Sequence, residues 1–392
     1  MAKDRSPTIT NNRQITIVGA KVWDGNSNGP ELKDIHISDG VFTDSPSLEA
    51  HTISAEGLTI IPGLIEAHAH LCFNGKEDWR AVYDNDTPSS MLLRMIDNSH
   101  KMLRAGITTV RDLGAPTDLA ISLRDSIDQE VVSGPSLIVA GAPITPTGGH
   151  CYFMGGEADG ELGVRVAVRE RVRSGVDWIK VMASGGNMTP GTNVERAQYT
   201  QSEMRAIVEE AHRLGVRVTA HAHGVEGIRH ALAGGVDMLE HCSFQTPDGS
   251  EPVPEVIQEI AETGTIVSPT IFGSLWGQEN TQQYKKRATL TQDLIESGAR
   301  MLMSTDCGIP HTPHENLSYS LEIMQNLSRL EPVEVLQLST NRSAELLGLP
   351  DRGRIEPGLR ADLVALSSDP TDNLSALREI EFVVCGGDQI PT

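Results

Sequence analysis

Short apolar segments alternate with longer amphipathic stretches through the middle of this chain, and this alternation constrains the fold more than any other feature. Eight segments have the length and composition of buried strands, and helix-like stretches separate several of them. These segments are Gly63–His70, Ile107–Arg111, Leu137–Ala142, Trp178–Met182, Val216–His221, Met238–His241, Ile266–Thr270 and Met301–Asp306. Eight strand–helix units over roughly 280 residues predict an α/β fold, a (β/α)8 TIM barrel, whose strands end in active-site loops at one face.

The competing fold is a doubly wound open sheet, but no Gly-x-Gly-x-x-Gly motif follows the first strand. No sequence repeat of fixed period accompanies the alternation. One well-marked helix is predicted over residues 201–214, with Ser202 as the candidate N-cap and Gly215 as the residue that ends it.

The two ends of the chain have a different pattern, in which β-rich runs are separated by turn signals. Residues 14–60 contain such runs around Asp39-Gly40, and the tail contains Ala361–Leu366 and Ile380–Cys385. We therefore predict a small antiparallel β-sandwich domain formed by residues 1–61 together with 346–392, beside the (β/α)8 barrel of residues 62–345.

Charge and composition exclude several classes of protein. The chain has 32 Lys and Arg against 53 Asp and Glu, so its formal net charge of −21 repels phosphate backbones and anionic membranes. The opening residues lack the apolar core of a secretory signal, and no window reaches the roughly 18 apolar residues that span a bilayer. We therefore predict a cytoplasmic protein that binds neither nucleic acid nor membrane.

The five cysteines are an odd number without a Cys-x-x-Cys pair, which argues against a disulfide framework or a cysteine-rich zinc site. Three of them, Cys72, Cys242 and Cys307, lie close in sequence to candidate site residues. We expect these to be small buried side chains beside the site, rather than ligands or nucleophiles.

Two histidines, His68 and His70, stand one residue apart at the end of the first barrel strand. Side chains in a strand alternate between its faces, so both histidines project the same way and can bind one metal ion. Alone, the pair is also compatible with histidines that merely decorate a sheet face.

Other candidate ligands fall at the ends of later strands. Lys180 precedes a glycine-rich turn, His221 and His223 repeat the His-x-His pattern, and His241 and Asp306 close two further strands. Each has an ordinary alternative as a hydrogen-bonded core histidine, a cap or an ion-paired lysine. Because strand ends of a barrel meet at one face, their combination predicts a metal site.

Lys180 is unusual because a buried ammonium without a partner is costly or loses its proton. A neutral lysine amine can react with CO₂ to give a carbamate that bridges two cations. This option applies only if histidines surround the lysine.

These residues give the chain a resemblance to the amidohydrolase superfamily over essentially its whole length. More narrowly, the strings Lys180–Gly186 and Ala220–Gly224 resemble those of its imidazolonepropionase-like and prolidase-like branch, which includes Xaa-Pro and Xaa-Arg dipeptidases. The resemblance implies a binuclear centre with carboxylated Lys180, an N6-carboxylysine, as the bridge. The other implied metal ligands are His68, His70 and Asp306 for one ion and His221 and His241 for the second.

The resemblance further implies hydrolysis of an amide bond by a hydroxide that bridges the two metals. Metal binding lowers the pKa of water to about 7, and Asp306 would act as the general base and then protonate the departing nitrogen. Nitrogen and oxygen ligands suit Zn²⁺, while Mn²⁺, Co²⁺ or Fe²⁺ fit the same ligands.

Substrate contacts are predicted at His150, which follows a Gly-Gly turn after the third strand, and at His223. In the prolidase-like branch the matching residues look placed to hold a substrate carboxylate, which favours a dipeptide or an N-acyl amino acid. Some relatives have tyrosine in place of His223, and an ordinary loop histidine remains the alternative for His150.

Neighbouring segments carry further expectations. Arg111 and Asp112 form an internal ion pair that orients the site, and the glycine-rich segment Gly185–Gln198 is a lid over the metals. His311 and His314 either line the pocket or lie on a surface loop.

Four rival functions remain open. A hydantoinase-like or dihydroorotase-like enzyme would open a cyclic amide, and a carbamate hydrolase would use the same centre. Mononuclear deamination or imidazolone ring opening is disfavoured because a single metal has no use for a bridging carbamate. A catalytically silent barrel scaffold would be expected to lack a ligand, and none is missing.

We also expect a homo-oligomer.

Overall fold

A computed structural model describes residues 14–390 of the chain. Residues 1–13 and 391–392 lie outside this range. They include the opening residues on which the localisation prediction rests, and both extremes of the predicted small domain.

The strands and helices follow in chain order. The strands are β1 (Ile15–Val18), β2 (Lys21–Val22), β3 (Glu31–Leu32), β4 (Ile35–Ser38), β5 (Val41–Thr43), β6 (His51–Ser54), β7 (Thr59–Pro62), β8 (Leu64–Ala69), β9 (Ile107–Asp112), β10 (Ser136–Val139), β11 (Trp178–Met182), β12 (Arg217–Ala222), β13 (Met238–His241), β14 (Gln245–Thr246), β15 (Gly249–Ser250), β16 (Ile266–Ser268), β17 (Leu363–Leu366), β18 (Ile380–Cys385) and β19 (Asp388–Ile390). The helices are α1 (Trp79–Asn85), α2 (Pro88–Arg104), α3 (Thr117–Asp128), α4 (Gly160–Ser174), α5 (Gln201–Arg213), α6 (Val225–Gly234), α7 (Pro254–Thr263), α8 (Gln282–Glu296), α9 (Leu317–Ser328), α10 (Pro332–Leu338) and α11 (Asn341–Leu347). Short 3-10 helices cover Tyr152–Met154, Gly273–Leu275 and Leu374–Arg378.

Two sheets join the beginning and the end of the described chain. One has the order β5-β4-β1-β6, and the other has the order β19-β18-β17-β7-β2-β3. Strand β17 from the tail pairs antiparallel with β7 from the start, with Leu363 opposite Pro62. Apolar side chains of both sheets, including Ile17, Ile37 and Val384, form one buried cluster. The predicted pairing of the two chain ends is therefore confirmed.

The prediction of a purely antiparallel arrangement at the chain ends is wrong. β1 pairs parallel with β6, and β2 pairs parallel with β7. In each case a connection crosses over before the chain returns, so the later strand runs in the same direction as the earlier one.

The barrel follows as a ring of parallel strands. β8, β9 and β10 pair in sequence, and so do β11, β12, β13 and β16. A bridge between Ile144 and Val181 connects the two groups, and a bridge between Ala69 and Cys307 closes the ring on the other side. Helices α2 to α8 occur between or after these strands, so the predicted TIM barrel with an additional sheet domain is confirmed.

The last barrel segment differs from the prediction, because residues 301–306 do not form a continuous strand. Only Met301 makes a ladder bridge, to Val267. Further along, the amide of Thr305 donates to the Glu66 carboxylate instead of to a neighbouring strand. A side chain thus replaces the missing ladder partner, and the segment still brings Asp306 to the ring.

Helix α5 lies where the sequence predicts it, but its N-cap is Thr200 rather than Ser202. The Thr200 hydroxyl accepts from the amide of Glu203, and the Glu203 carboxylate accepts from the amide of Thr200. This reciprocal pair satisfies two backbone donors, which Ser202 inside the first turn cannot do.

Among the described residues, no helix combines the length and apolar character that crossing a membrane requires.

Candidate active site

A cavity at the carboxyl ends of the barrel strands is lined by all the side chains that the sequence predicts for the site. They are His68, His70, His150, Lys180, His221, His223, His241 and Asp306. The parallel register explains the meeting, since Met182 of β11 lies opposite His221 of β12. The sequence prediction of which residues come together therefore holds, while their individual roles remain predictions.

The first group consists of His68, His70 and Asp306. The Oδ1 atom of Asp306 lies 3.3 Å from Nε2 of His68 and 3.1 Å from Nε2 of His70. Nε2 of His68 and Oδ1 of Asp306 are buried, and neither has a hydrogen-bond partner among the described residues. Ligand atoms about 2.1 Å from a tetrahedral metal stand about 3.4 Å apart. The spacing and the orphaned atoms therefore fit a metal ion.

The second group consists of His221, His223 and His241, each of which offers a ring nitrogen within 4.8 Å of the others. The rings of His223 and His241 stack, with their centroids 4.4 Å apart. Nδ1 of His241 lies 2.9 Å from the hydroxyl of Thr270, so that its Nε2 remains available as a ligand. The sequence prediction keeps His223 for the substrate, whereas this geometry also allows it to bind a metal.

Strained backbone aims two of these side chains into the cavity. His241 has φ 67° and Asp306 has φ 62°, in the left-handed region that side-chain-bearing residues rarely adopt. Such conformations persist only where surrounding contacts hold them, and they occur preferentially at functional sites. At each position the left-handed backbone changes the direction of the chain, and the side chain lines the cavity.

Lys180 lines the same cavity as the two groups and is 2% exposed. Among the described residues its amine has no hydrogen bond or ion pair, although it lines the cavity. Burial lowers the pKa of Lys180 to about 8, against the opposing effect of the nearby carboxylates Glu240 and Asp306. More of this amine is therefore neutral at pH 7 than in an exposed lysine.

A buried chain of polar side chains stands behind the first group, and sequence reasoning missed its central member, Glu240. Oε2 of Glu240 lies 2.8 Å from Nδ1 of His68, and Oε1 accepts from Nη2 of Arg111 at 2.8 Å. Thr219 donates its hydroxyl to the same Oε1 at 2.5 Å. Burial raises the pKa of Glu240, but the charges of Arg111 and His68 outweigh it and lower that pKa. Glu240 is thus an anion that fixes the tautomer of His68.

The predicted ion pair between Arg111 and Asp112 is wrong, because alternation along the strand sends these neighbouring side chains in opposite directions. Arg111 pairs with Glu240 instead. The Asp112 carboxylate accepts from the amides of Leu71 and Gly114.

Glu66 was also missed, and it connects the first and last segments of the ring. Its carboxylate accepts from the amides of His68 and Thr305 at 2.9 and 3.0 Å. Burial raises the pKa of Glu66 to about 7, while the hydrogen bonds from Thr305 and His68 oppose that rise. A glutamate two residues before the candidate ligand His68, on the same strand, was the available signal.

His150 lies where the sequence predicts it, on the loop after β10. It is 4% exposed, its ring centroid lies 4.6 Å from that of His221, and its Nδ1 has no hydrogen-bond partner among the described residues. Asn187 and Met188 of the predicted lid line the same cavity. A buried ring nitrogen without a partner beside the candidate ligands is free to contact a substrate.

The remaining predicted neighbours do not line the cavity. His311 is 62% exposed and lies 3.7 Å from Glu77. His314 is buried and its Nε2 donates to the backbone oxygen of His70. All five cysteines are free and buried, including Cys72, Cys242 and Cys307, for which the sequence predicts burial.

Comparison with known proteins identifies the family. The profile of the amidohydrolase family matches residues 59–390, and the chain therefore belongs to the amidohydrolase family. Ochratoxinase of Aspergillus niger is 28% identical over 361 residues, which are 83% of this chain and 73% of that enzyme.

Two solved structures extend the likeness. A Xaa-Pro dipeptidase with methionine bound in its active site has a TM-score of 0.86 at 26% identity, and the match covers 97% of this chain and 100% of the dipeptidase. A prolidase in complex with N-methylphosphonate-L-proline has a TM-score of 0.84 at 26% identity and covers 96% and 99% of the two chains. The resemblance to the amidohydrolase superfamily and its prolidase-like branch is thus confirmed, and the chain is a hydrolase that acts on carbon–nitrogen bonds.

Proposed function

We propose that the chain is a binuclear metal-dependent amidohydrolase that cleaves the amide bond of a dipeptide or an N-acyl amino acid with a free carboxylate. The observation that supports the proposal is the pair of candidate ligand groups in one cavity that Lys180 also lines. Family members generally bind divalent ions, and the orphaned atoms of His68 and Asp306 support such an ion here.

His68, His70 and Asp306 would hold one ion, and His221 and His241 the second. Lys180 would contribute a carbamate oxygen to each, formed when its neutral amine attacks CO₂ and loses one proton. The carbamate would satisfy an amine that lacks a partner in this buried position and would turn a cation into an anion. Of the six ligands, Asp306 and the carbamate would then supply negative charge to the two dications, and the four histidines would bind as neutral imidazoles.

When bound, divalent ions would lower the pKa of water and polarise the amide carbonyl. Asp306, whose carboxylate lies beside His68 and His70 in the cavity, would accept the proton of the attacking water. The same carboxyl group would return that proton to the departing nitrogen, which leaves as an amine. Glu240 would keep His68 in the tautomer whose Nε2 faces the metal.

The substrate class follows from the lining and from the relatives. Phe73, Met182, Phe272 and Leu275 give the cavity an apolar wall, which suits an apolar side chain or acyl group. The named relatives include a Xaa-Pro dipeptidase and a prolidase, whose names describe cleavage next to an amino acid. We propose that His150 and His223 contact the carboxylate of the equivalent substrate here.

A hydrolysis screen tests this proposal. Protein loaded with Zn²⁺ or Mn²⁺ in bicarbonate would be offered dipeptides, N-acyl amino acids, carbamates and cyclic amides. We expect release of an amino acid from members of the first two sets. Turnover of hydantoin or dihydrouracil without turnover of any dipeptide would favour the cyclic-amide alternative, and turnover of carbamates alone would favour that of a carbamate hydrolase. Full metal loading with no turnover of any set would favour the silent scaffold.

A further inference from the structure

Arg287 on α8 is a cation in the cavity that the proposed mechanism does not use. Among the described lining residues, the Lys and Arg side chains are Lys180 and Arg287, and the single carboxylate is that of Asp306. If Lys180 carries a carbamate, as the proposed function requires, Arg287 becomes the remaining lysine or arginine cation in the lining.

The hydrogen bonds of Arg287 involve one nitrogen of its guanidinium and leave the other two nitrogens available. Nη2 donates to the backbone oxygen of Pro269 and, at 3.5 Å, approaches that of His241. Among the described residues, Nε and Nη1 have no hydrogen-bond partner, and no carboxylate lies within ion-pair distance. Burial lowers the pKa of Arg287 to about 10, so the side chain remains charged at neutral pH.

This arrangement is unlike that of Arg111, which is fully buried and pairs with Glu240 at 2.8 Å. Arg287 is half-buried and has no such acid. A partly desolvated guanidinium without an acid is better stabilised when an anion from outside pairs with it. Its planar donor groups match a carboxylate, which they can bind through two parallel hydrogen bonds.

Position supports the same conclusion, because Arg287 reaches the end of β13, which carries the candidate ligand His241. It touches the backbone of His241, whose ring stacks on that of His223. A substrate whose amide bond lies at the metal centre would therefore have its own carboxylate within reach of the Arg287 side chain.

We propose that Arg287 binds the free carboxylate of the substrate and makes the enzyme selective for anionic amides. This inference rests on the proposed function and adds a specificity-determining residue to it. A purely structural role, in which Arg287 only ties α8 to the carbonyl of Pro269, is the alternative. If Arg287 binds the substrate carboxylate, ligand affinity depends on the charge of the ligand; if its role is purely structural, affinity does not.

Binding of a matched pair of ligands tests the inference without turnover. N-methylphosphonate-L-leucine and its carboxamide differ only in the carboxylate, and their affinities for the Zn²⁺-loaded protein can be measured by calorimetry. In Arg287→Gln we expect the carboxylate form to bind 10- to 100-fold more weakly, while the carboxamide changes less than 3-fold, in line with about 1.4–2.8 kcal/mol for a charged pair. Lys285→Gln, on the exposed side of α8, removes the same charge and should leave both affinities unchanged.

Equal weakening of both ligands in Arg287→Gln, or no weakening of either, would overturn the inference. Arg287→Lys keeps the charge and should retain part of the preference for the carboxylate. If circular dichroism shows that Arg287→Gln is poorly folded, the preference for the carboxylate over the carboxamide is measured in Arg287→Lys instead. A preference in Arg287→Lys as large as that of the wild type would contradict the proposed pair of hydrogen bonds from the guanidinium.

The hydrolysis screen separates this failure from failure of the proposed function. Wild-type turnover of N-acyl amino acids, together with an Arg287→Gln variant in which both ligands weaken equally or neither weakens, would reject the role of Arg287 alone. Absence of all amide hydrolysis by the wild type would reject the proposed function, whatever the binding data for Arg287 show.

Discussion

The Oε2 atom of Glu240 lies 2.8 Å from Nδ1 of His68 and directs the opposite ring nitrogen toward Asp306. Arg111 holds the other oxygen of Glu240 at the same distance. The three residues come from three different strands and are almost completely buried. One candidate ligand is therefore oriented before any metal arrives, which lowers the entropic cost of binding it.

Glu240→Gln should weaken metal binding. The amide cannot restrain His68 as an anion does, and it leaves the charge of Arg111 uncompensated, so we expect a 10- to 100-fold loss of metal affinity. We also expect a loss of about 3 kcal/mol in the unfolding free energy of the metal-free protein. Metal titration and urea denaturation measure the two effects. Glu170→Gln, at an exposed site on α4, is the control, and equal behaviour of the two variants would reject this role of Glu240.

Asp306→Asn should retain metal but lose turnover. Asparagine can still offer a ligand oxygen, whereas it cannot accept the proton of the attacking water, so kcat should fall by about 10²- to 10⁴-fold. Metal analysis and the rate on a substrate from the screen should be obtained on the same sample. Full activity on every substrate would contradict the proposed proton transfer.

Gly186→Ala tests whether His150 contacts the substrate. A Cβ at this position would lie 2.4 Å from the His150 ring, which must then move. Displacement of a substrate contact by about 1 Å can reduce kcat/KM by about 10²-fold, and metal content should stay the same. Gly163→Ala, on α4 with no atom within 4 Å of the new methyl group, should keep wild-type kinetics. Unchanged kinetics in Gly186→Ala would leave His150 without a role in binding.

The cysteines should be inert in the native protein. Burial raises the pKa of Cys151 and of Cys242 to about 12, and it raises that of Cys307 above its ordinary value. Since the thiolate is the reactive form, a thiol reagent at pH 8 should modify few or none of the five cysteines before denaturation and all five after it. Rapid reaction of a native cysteine would show that its surroundings open in solution.

Local pattern was enough to predict seven of the eight strand segments of the ring and the candidate site residues near their carboxyl ends. Alternation places His68 and His70 on one face, and the barrel topology brings Lys180, His221 and Asp306 to the same end. These are consequences of short-range periodicity and of a topology with few alternatives.

Pairings between distant residues were beyond this reasoning. Arg111 and Glu240 are 129 residues apart, and their contact depends on how the ring closes. Adjacent residues on a regular strand face opposite ways, yet Glu240 and His241 both serve the site because the left-handed backbone of His241 turns its side chain. That conformation has no signature in the sequence, since histidine rarely adopts it.

The measurement that tests the central claim most directly is the metal and carbamate content of one sample. Protein loaded with Zn²⁺ in ¹³C-labelled bicarbonate would be analysed for zinc per chain and for a ¹³C carbamate signal, with Lys180→Met as the control. The binuclear account predicts two zinc ions per chain and a carbamate that is absent from the control. One zinc ion per chain with an unmodified Lys180 would contradict it.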